Sequence, residues 1–231
     1  MRALTLAASV VMAASVLAAE TAQERLADSA RVFSEVMRTP DKGIPQDLLA
    51  KAQCVVIIPG MKKAAFVVGA EYGRGFAECR HEDGKGWGAP AAVRMEGGSV
   101  GFQIGGSDTD LVLLVMNRHG MVRLTQDKVQ LGADASVAAG PVGRTTNAET
   151  DASMTAEILA WSRAKGLFAG VSLSGATLRP DADRNMELYG SKMSNKEVLM
   201  GSIQPPEAAH PLIHELDRYS TFSGADRAAH Q

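Results

Sequence analysis

The sequence predicts one α+β domain that is rich in β-structure. Its antiparallel sheet is expected to be curled or barrel-like, with an N-terminal amphipathic helix and short peripheral helices. Three observations lead to this prediction: a helical apolar pattern early in the chain, several short strand-like runs, and 23 glycines in 231 residues. Glycine at this density favours tight turns and close backbone contacts over long helices. Short turns, and sheet edges that need protection, favour an antiparallel sheet that curls or closes.

Composition excludes several classes of protein. The chain is 45% hydrophobic and 22% charged, which is typical of a globular protein and not of a disordered or collagen-like one. Lysine and arginine total 24 against 26 acidic residues, so no excess of positive charge attracts the protein to nucleic acid. No linker, repeat or charge block divides the chain, which indicates a single domain.

The first nineteen residues have the pattern of a secretory signal. Arg2 is the only charged residue before Glu20, and the apolar stretch between them ends in the small residues Ala18 and Ala19. An uncleaved membrane anchor is the alternative, but the stretch is short and alanine-rich for a span of about 20 strongly apolar residues. We therefore expect residues 1–19 to be a signal peptide and residues 20–231 to form the exported domain. Cleavage after either Ala18 or Ala19 fits the signal-peptide pattern. We therefore expect the protein to be periplasmic or extracellular, and peripheral attachment to a membrane is compatible with that location.

The first element of the exported chain is predicted to be an amphipathic helix over residues 21–38. Leu26, Ala30, Phe33 and Met37 recur at helical spacing, Val36 widens this apolar stripe, and charged residues occupy the opposite face. A second short helix is expected to start at Pro45 and to run to residue 51.

Strand-like runs separated by turn residues fill most of the remaining chain. Predicted strands cover residues 54–58, 65–68, 75–79, 91–95, 100–104, 111–116, 122–124 and 168–173. Residues 81–86 and 117–120 are predicted to be hairpin turns. Short helices are expected over residues 181–189, from Ser194 onward, and over residues 211–219.

The two cysteines, Cys54 and Cys79, are compatible with two interpretations. An exported compartment permits a disulfide between them. Alternatively, they are buried thiols that act as small apolar side chains, which suits the apolar run around Cys54. The sequence leaves both open.

No catalytic, metal or cofactor site is predicted. Ser99 lies in a G-x-S-x-G pattern, with Asp151 and then His210 or His214 downstream in the chain order of an α/β-hydrolase. The residues after Ser99 alternate like a strand, however, whereas a nucleophile elbow requires a helix there. A serine hydrolase therefore remains only a minor alternative. Asp181, Asp183, Asn185 and Glu187 imitate the start of a calcium loop, but Met186 stands where the turn glycine is required.

Several cations lie near turns and glycine-rich segments and are candidates for binding an anionic head group. Ordinary solvent-facing charge is the alternative interpretation, and the net charge of −2 favours it. These cations are Lys62, Lys63, Arg74, Arg80, Arg144, Arg163, Lys165 and Arg179.

Together, a series of glycine-containing segments resembles the SYLF domain family. The match runs in order from about residue 30 to residue 189, which we take as the core of the domain, with residues 205–231 as a C-terminal tail. It includes residues 43–45, 52–59, 69–75, 87–90, 98–106, 131–143, 162–170 and 189–190. Within this family, the stretch around Ser99 belongs to a structural glycine motif.

The resemblance implies lipid binding without enzymatic activity or a cofactor, and actin binding in fungal relatives. It implies that the N-terminal helix contacts membrane. Expected lipid-binding residues are Arg25, Leu26, Arg31, Phe33, Val36, Met37 and Arg38, to which we add Lys62 and Lys63. Export, and the expectation that no SH3 or FYVE module is attached, argue against actin and phosphoinositides. An anionic phospholipid of a bacterial cell envelope is the predicted partner, and the alternative is a structural or partner-binding envelope protein without a lipid ligand.

Overall fold

The computed structural model describes residues 20–39, 43–65, 68–100, 105–142, 155–164 and 166–220. Residues 1–19, Arg144, Asp151 and Lys165 lie outside these ranges. The strands are β1 (Cys54–Ala65), β2 (Val68–Cys79), β3 (Ala91–Val100), β4 (Gly105–Val115), β5 (Val129–Gln130), β6 (Val137–Ala139), β7 (Ile158–Ala164), β8 (Leu167–Gly170) and β9 (Thr177–Pro180). The α-helices are α1 (Ala22–Arg38), α2 (Gln46–Lys51), α3 (Arg118–Leu124), α4 (Ala182–Tyr189), α5 (Asn195–Met200) and α6 (His210–Ser220).

The described strands form one sheet in the order β5-β9-β3-β2-β1-β4-β7-β6, and β8 also pairs with β7. Every pairing is antiparallel except that between β6 and β7. The sheet is curled into a half-barrel, with α1 at the start of the chain. The predicted α+β class, curled antiparallel sheet and N-terminal helix are confirmed.

Both faces of the central strands are buried. In β1, Val55 and Ile57 pack in one apolar cluster, whereas Val56 and Ile58 pack in a second cluster on the opposite face. This alternation follows from the two-residue period of a strand. Helices α1 and α6 supply Leu26, Phe33, Leu212 and other residues to the first cluster, while α5 supplies Val198 and Leu199 to the second. The sheet is therefore a layer between two apolar cores.

One predicted region has a different form because of local hydrogen bonding. Residues 117–124 were expected to form a hairpin turn and a strand, but they form the helix α3. The side chain of Asn117 caps this helix by accepting a hydrogen bond from the Gly120 N–H, at 2.8 Å. The predicted strands over residues 65–68 and 100–104 include residues 66–67 and 101–104, which lie outside the described residues.

The strand beginning at Cys54 does not end at Pro59-Gly60. The pairing register shifts there, and β1 continues to Ala65 through a bulge. Gly60 has a φ of 54°, and its N–H donates a 2.9 Å hydrogen bond to the carboxylate of Asp110. A partner on β4 thus satisfies the backbone group that the bulge would otherwise leave unpaired.

Cys54 and Cys79 are joined by a disulfide. They lie directly opposite each other on β1 and β2, with their Cα atoms 4.0 Å apart, and both are buried. Of the two interpretations that the sequence left open, the structure has the bridge.

Gly140 shows why glycine is needed at one close approach in this fold. A Cβ atom at this position would lie 2.0 Å from the ring of Trp161, which is fully buried on β7. The indole N–H of Trp161 donates a 2.9 Å hydrogen bond to the carbonyl of the neighbouring Pro141. The ring is therefore held on both sides and has little freedom to retreat.

We expect Gly140→Ala to lower the free energy of unfolding by about 2 kcal/mol or more, because the added methyl group must displace Trp161. Chemical denaturation followed by tryptophan fluorescence measures the change. Gly97→Ala is the matched control, since a Cβ there would meet its neighbours at an ordinary 3.6 Å. Equal stability of the two variants would contradict this account of Gly140.

Candidate membrane-contact surface

The apolar stripe of α1 is packed against the sheet. Leu26, Phe33 and Val36 have at most 1% of their surface exposed, and Met37 packs against the same core from its edge. The ring of Phe33 meets that of Tyr219 on α6 edge-on, with centroids 6.2 Å apart. In the folded state the stripe is thus part of the core, as in the alternative that the sequence left open. Direct lipid contact by these side chains requires α1 to leave the sheet.

Helix α1 carries its own end caps and ion pairs. Thr21 and Glu24 form a reciprocal capping box at its N-terminus. On the exposed face, Arg31 pairs with Asp28 at 2.9 Å and with Glu35 at 3.5 Å. The exposed Arg38 lies in the last turn, where a cation complements the helix dipole. These features are local, so the helix does not depend on the sheet for all of its stability.

Polar contacts also hold α1 to the sheet at two places. Near its start, Arg25 donates to the carbonyls of Pro59 and Arg74, at 3.1 and 3.2 Å, and pairs with Glu20. Near its end, Glu35 pairs with Arg163 of β7. This hydrogen bond from Arg163 lowers the pKa of Glu35. Arg163 also binds Asp110 at 2.7 Å, which connects α1 to the bulge of β1.

The other predicted head-group cations that lie in the described ranges are engaged within the protein. Lys62 pairs with Asp108 at 3.1 Å, and Lys63 pairs with Glu71 at 3.0 Å. Arg74 pairs with the carboxylate of Asp181, and Arg179 pairs with that of Glu96. Arg80 donates hydrogen bonds to the main-chain carbonyls of residues 49, 50 and 52. The structure therefore does not gather these cations into one unpaired cluster. A phosphate group would have to compete with existing carboxylate partners.

The residues that imitate a calcium loop have structural roles. Asp181 caps α4 and pairs with Arg74, while Glu187 accepts a 2.8 Å hydrogen bond from the Ala22 N–H. Asn185 accepts a hydrogen bond from the Ala92 N–H and donates one to Asn195. Among the described residues, no group of three or more potential ligands could hold a metal ion.

The hydrolase alternative lacks its structural context. Ser99 lies within β3, opposite Gly69 of β2, and the next described element after β3 is the strand β4. A nucleophile elbow instead places its serine on a sharp turn between a strand and a helix. The acidic member of that triad, Asp151, is outside the described residues.

A cavity of about 360 Å³ lies beside α4 and α5. Asn185 and Asn195, which line it, are fully buried and hydrogen-bonded to each other and to the backbone of Ala92. Thr125, Asp127 and Lys192 form part of its remaining wall. The two buried amides are already paired, so they are not available to bind a ligand.

Glu78 is a buried carboxyl group that the sequence analysis did not single out. It lies on β2 with 1% of its surface exposed, and neither side-chain oxygen has a hydrogen-bond partner among the described residues. Burial and, secondarily, the charge of Asp217 on α6 raise its pKa well above the usual value. The sequence signal that could have revealed it is its position two residues after Phe76 in the predicted strand 75–79, which puts both side chains on the same face of the strand.

These features define a class of protein: a half-barrel domain with an amphipathic helix docked over one apolar face. The Ysc84 family model, described as "Las17-binding protein actin regulator", matches residues 96–219. The chain therefore belongs to the Ysc84, or SYLF, family, as the sequence motifs predicted. This family is related to actin regulators and binds lipid.

Curated relatives extend the match across most of the chain. LAS seventeen-binding protein 3 of Saccharomyces cerevisiae is 36% identical over 180 residues, which cover 77% of this chain and 39% of the relative. Protein YSC84 of the same yeast is 35% identical over 181 residues, or 77% and 38% of the two chains. Human SH3 domain-containing YSC84-like protein 1 is 33% identical over 193 residues, or 82% and 56%. The chain thus spans about two fifths to just over half the length of these relatives.

We expect Glu78→Gln to stabilise the fold increasingly as pH rises. The folded state keeps the Glu78 proton above pH 4.5, whereas the unfolded chain releases it, so wild-type stability falls with rising pH until the folded-state pKa is passed. Glutamine does not titrate and avoids this loss. Denaturation at about pH 5 and about pH 8 measures the difference, with the exposed Glu82→Gln as the control. A Glu78→Gln effect independent of pH would contradict the assignment.

Proposed function

We propose that the protein is a non-enzymatic, peripheral lipid-binding protein of the bacterial cell envelope, and that it associates with anionic phospholipid surfaces. The observation that carries the proposal is the arrangement of α1. This helix has its own caps and ion pairs and holds an apolar stripe against the sheet. The chain also belongs to a family that binds lipid. No described helix is long and apolar enough to cross a membrane.

In this mechanism, α1 leaves the sheet, and its apolar stripe moves from the protein core into the surface of the bilayer. Removing Leu26, Phe33 and Val36 from the core costs about 1.5–3 kcal/mol for each side chain, and shallow insertion into a bilayer recovers much of that cost. Undocking also separates Glu35 from Arg163, so that Arg163 keeps Asp110 as its carboxylate partner and loses the one from α1. Binding is therefore expected to be weak, to increase with anionic lipid content and to decrease with salt.

Liposome co-sedimentation tests this proposal with residues 20–231, the part of the chain that contains every described element. We expect Glu35→Gln to raise binding roughly threefold or more, because it weakens a contact between α1 and β7 and removes one carboxylate partner from each of Arg31 and Arg163. Glu82→Gln removes the same charge from an exposed turn and serves as the matched control. Phe33→Asp is less informative, since a charge in the core would unfold the domain.

The outcomes of this assay separate the parts of the proposal. Absence of binding at every lipid composition would overturn the lipid function. Binding by the wild type with equal responses of Glu35→Gln and Glu82→Gln would overturn the role of α1 undocking.

The second candidate is a structural or partner-binding envelope protein. It is favoured by the complete burial of the α1 stripe and by the names of relatives, which describe them as binding LAS seventeen. Failure of lipid binding in the assay above would leave this candidate, and cross-linking in envelope fractions would then identify the partner.

Export is part of the proposal, and the disulfide provides a test of it. The signal-like residues 1–19 and the Cys54–Cys79 bridge both fit an oxidising compartment. In bacterial cells we expect the full chain to resist thiol labelling after acid trapping and denaturation, whereas a chain lacking residues 1–19 labels at both cysteines. A full chain that is recovered reduced from the cytoplasm would contradict export.

A further inference from the structure

Glu78 is a buried acid between the sheet and the helical layer of α1 and α6. It follows Phe76 by two residues on β2 and lies opposite Val55, so it is on the face that these helices cover. Only 1% of its surface is exposed, and neither carboxyl oxygen has a hydrogen-bond partner among the described residues. Buried polar groups are ordinarily hydrogen-bonded, and one without a partner costs free energy. An unpartnered acid at this interface therefore requires an explanation.

The groups that face Glu78 from the helices do not neutralise its charge. From α6, the charged group that acts on it is the carboxylate of Asp217, which has the same sign. From α4, Tyr189 is a neighbour: burial raises the pKa of its hydroxyl, and the charge of Glu78 raises it further. That hydroxyl donates a 2.6 Å hydrogen bond to the carbonyl of Pro90. An ionised Glu78 would thus have a like charge and an already engaged donor beside it.

The cations of this region act on Asp217. Arg80, two residues further along β2, donates hydrogen bonds to main-chain carbonyls at the end of α2, and its Cζ lies 4.4 Å from the centroid of the Trp87 ring. Arg80, His214 and His81 each lower the pKa of Asp217, against the larger effect of burial, which raises it. Within the described part of the chain, no cation forms an ion pair with Glu78.

Helix α6 is attached through side chains and not through strand pairing. It follows every described strand in the chain, and residues 201–209 join it to α5. The backbone hydrogen bonds of this segment run within it, to α5 or to the start of α6. The side chains of α6 pack in the first apolar cluster, and Ser220 at its end accepts a 3.0 Å hydrogen bond from the indole N–H of Trp87. Local release of α6 therefore leaves the described strand pairings intact.

We propose that Glu78 is a proton-operated latch for the helical layer: α6 stays docked while Glu78 holds its proton, and loss of the proton beside Asp217 releases α6. The physical reason is that a charge in an apolar interface, facing another of the same sign, is stabilised when the interface opens and water reaches it. The latch regulates the membrane contact of α1, so this part of the inference rests on the proposed function.

The direction of the pH response follows from the two states of Glu78. In the open state the carboxyl meets water and has its ordinary pKa, 4.5, whereas burial and then the charge of Asp217 raise its pKa well above that value in the closed state. Above pH 4.5 the closed state therefore binds more protons than the open one. Each pH unit then favours opening by up to about tenfold, until the closed-state pKa is passed. Acid holds the layer closed, and alkali opens it.

Release of α6 also loosens α1, because the two helices share one apolar cluster. Leu212 and Leu216 of α6 lie in the same cluster as Leu26 of α1. The ring of Phe33 on α1 meets that of Tyr219 on α6. Once α6 has left, the apolar stripe of α1 has lost part of its cover, and transfer of the stripe to a bilayer costs less. Membrane binding is therefore expected to rise with pH.

Hydrogen exchange without lipid tests the latch itself. Backbone amide protection of α6 is measured by mass spectrometry from about pH 5 to about pH 8, with correction for the intrinsic exchange rates. In the wild type we expect protection of α6 to fall by up to about tenfold per pH unit, while α5, on the opposite face, keeps its protection. Glu78→Gln should abolish the fall, and it retains Asp217, His81 and His214. The exposed Glu82→Gln is the matched control and should behave as the wild type.

Asp217→Asn provides a second variant, which keeps Glu78 and removes the charge that faces it. The fall in α6 protection should then level off at a lower pH than in the wild type, because the closed-state pKa of Glu78 is raised less. An unchanged pH response in Glu78→Gln would overturn the latch. Parallel loss of protection in α5 and α6 would also overturn it, since the whole domain would then be unfolding.

Vesicle binding over the same pH range tests the link to function. Partitioning of the wild type onto phosphatidylglycerol vesicles should rise severalfold from about pH 6 to about pH 8, and that of Glu78→Gln should not rise. Vesicle binding without any pH response of α6 would overturn the latch and leave the proposed function intact. A pH response of α6 without vesicle binding at any pH would support the latch and overturn the proposed function.

Discussion

The central strands have apolar side chains on both faces, so the sheet is stable only while both faces are covered. On one face the covering layer includes α1 and α6, and on the other it includes α5 and the segments around β5 and residues 173–178. Because the apolar stripe of α1 provides part of this cover, the most obvious membrane-contact element of the sequence is also a structural element. A lipid-binding role for the stripe thus competes directly with the stability of the fold.

This competition gives the polar contacts around α1 their importance. Arg25 binds two carbonyls of the sheet, and Glu35 binds Arg163, which also holds Asp110 beside the β1 bulge. These contacts add orientation and partial charge neutralisation to the apolar packing. The same arginines that would attract a phosphate group are therefore the residues that hold the helix down. Membrane attachment through α1 and docking of α1 are two uses of one set of side chains.

Helices α1 and α6 form the layer that covers this face of the sheet. Glu78 lies under the same helical layer, so its proton contributes to the stability of that layer as pH changes.

Sequence alone determined the features that arise from local patterns. The helical period of Leu26, Phe33 and Met37 predicted α1, the strand-like runs predicted the β-rich sheet, and the ordered glycine motifs predicted the family. The prediction of a turn and a strand over residues 117–124 was wrong. These residues form a helix, because the Asn117 side-chain cap outweighed the strand propensity of Val122 and its neighbours. The sequence also predicted that the first strand ends at Pro59-Gly60. The strand continues there through a bulge stabilised by Asp110, fifty residues away, and neighbouring residues give no indication of this contact.

Tertiary structure decided which residues are available for function. An amphipathic stripe has the same period whether it faces a core or a membrane, so only the packing reveals that Phe33 is buried. Likewise, the pairing of Lys62 with Asp108 and of Arg163 with Glu35 depends on strand register and helix placement.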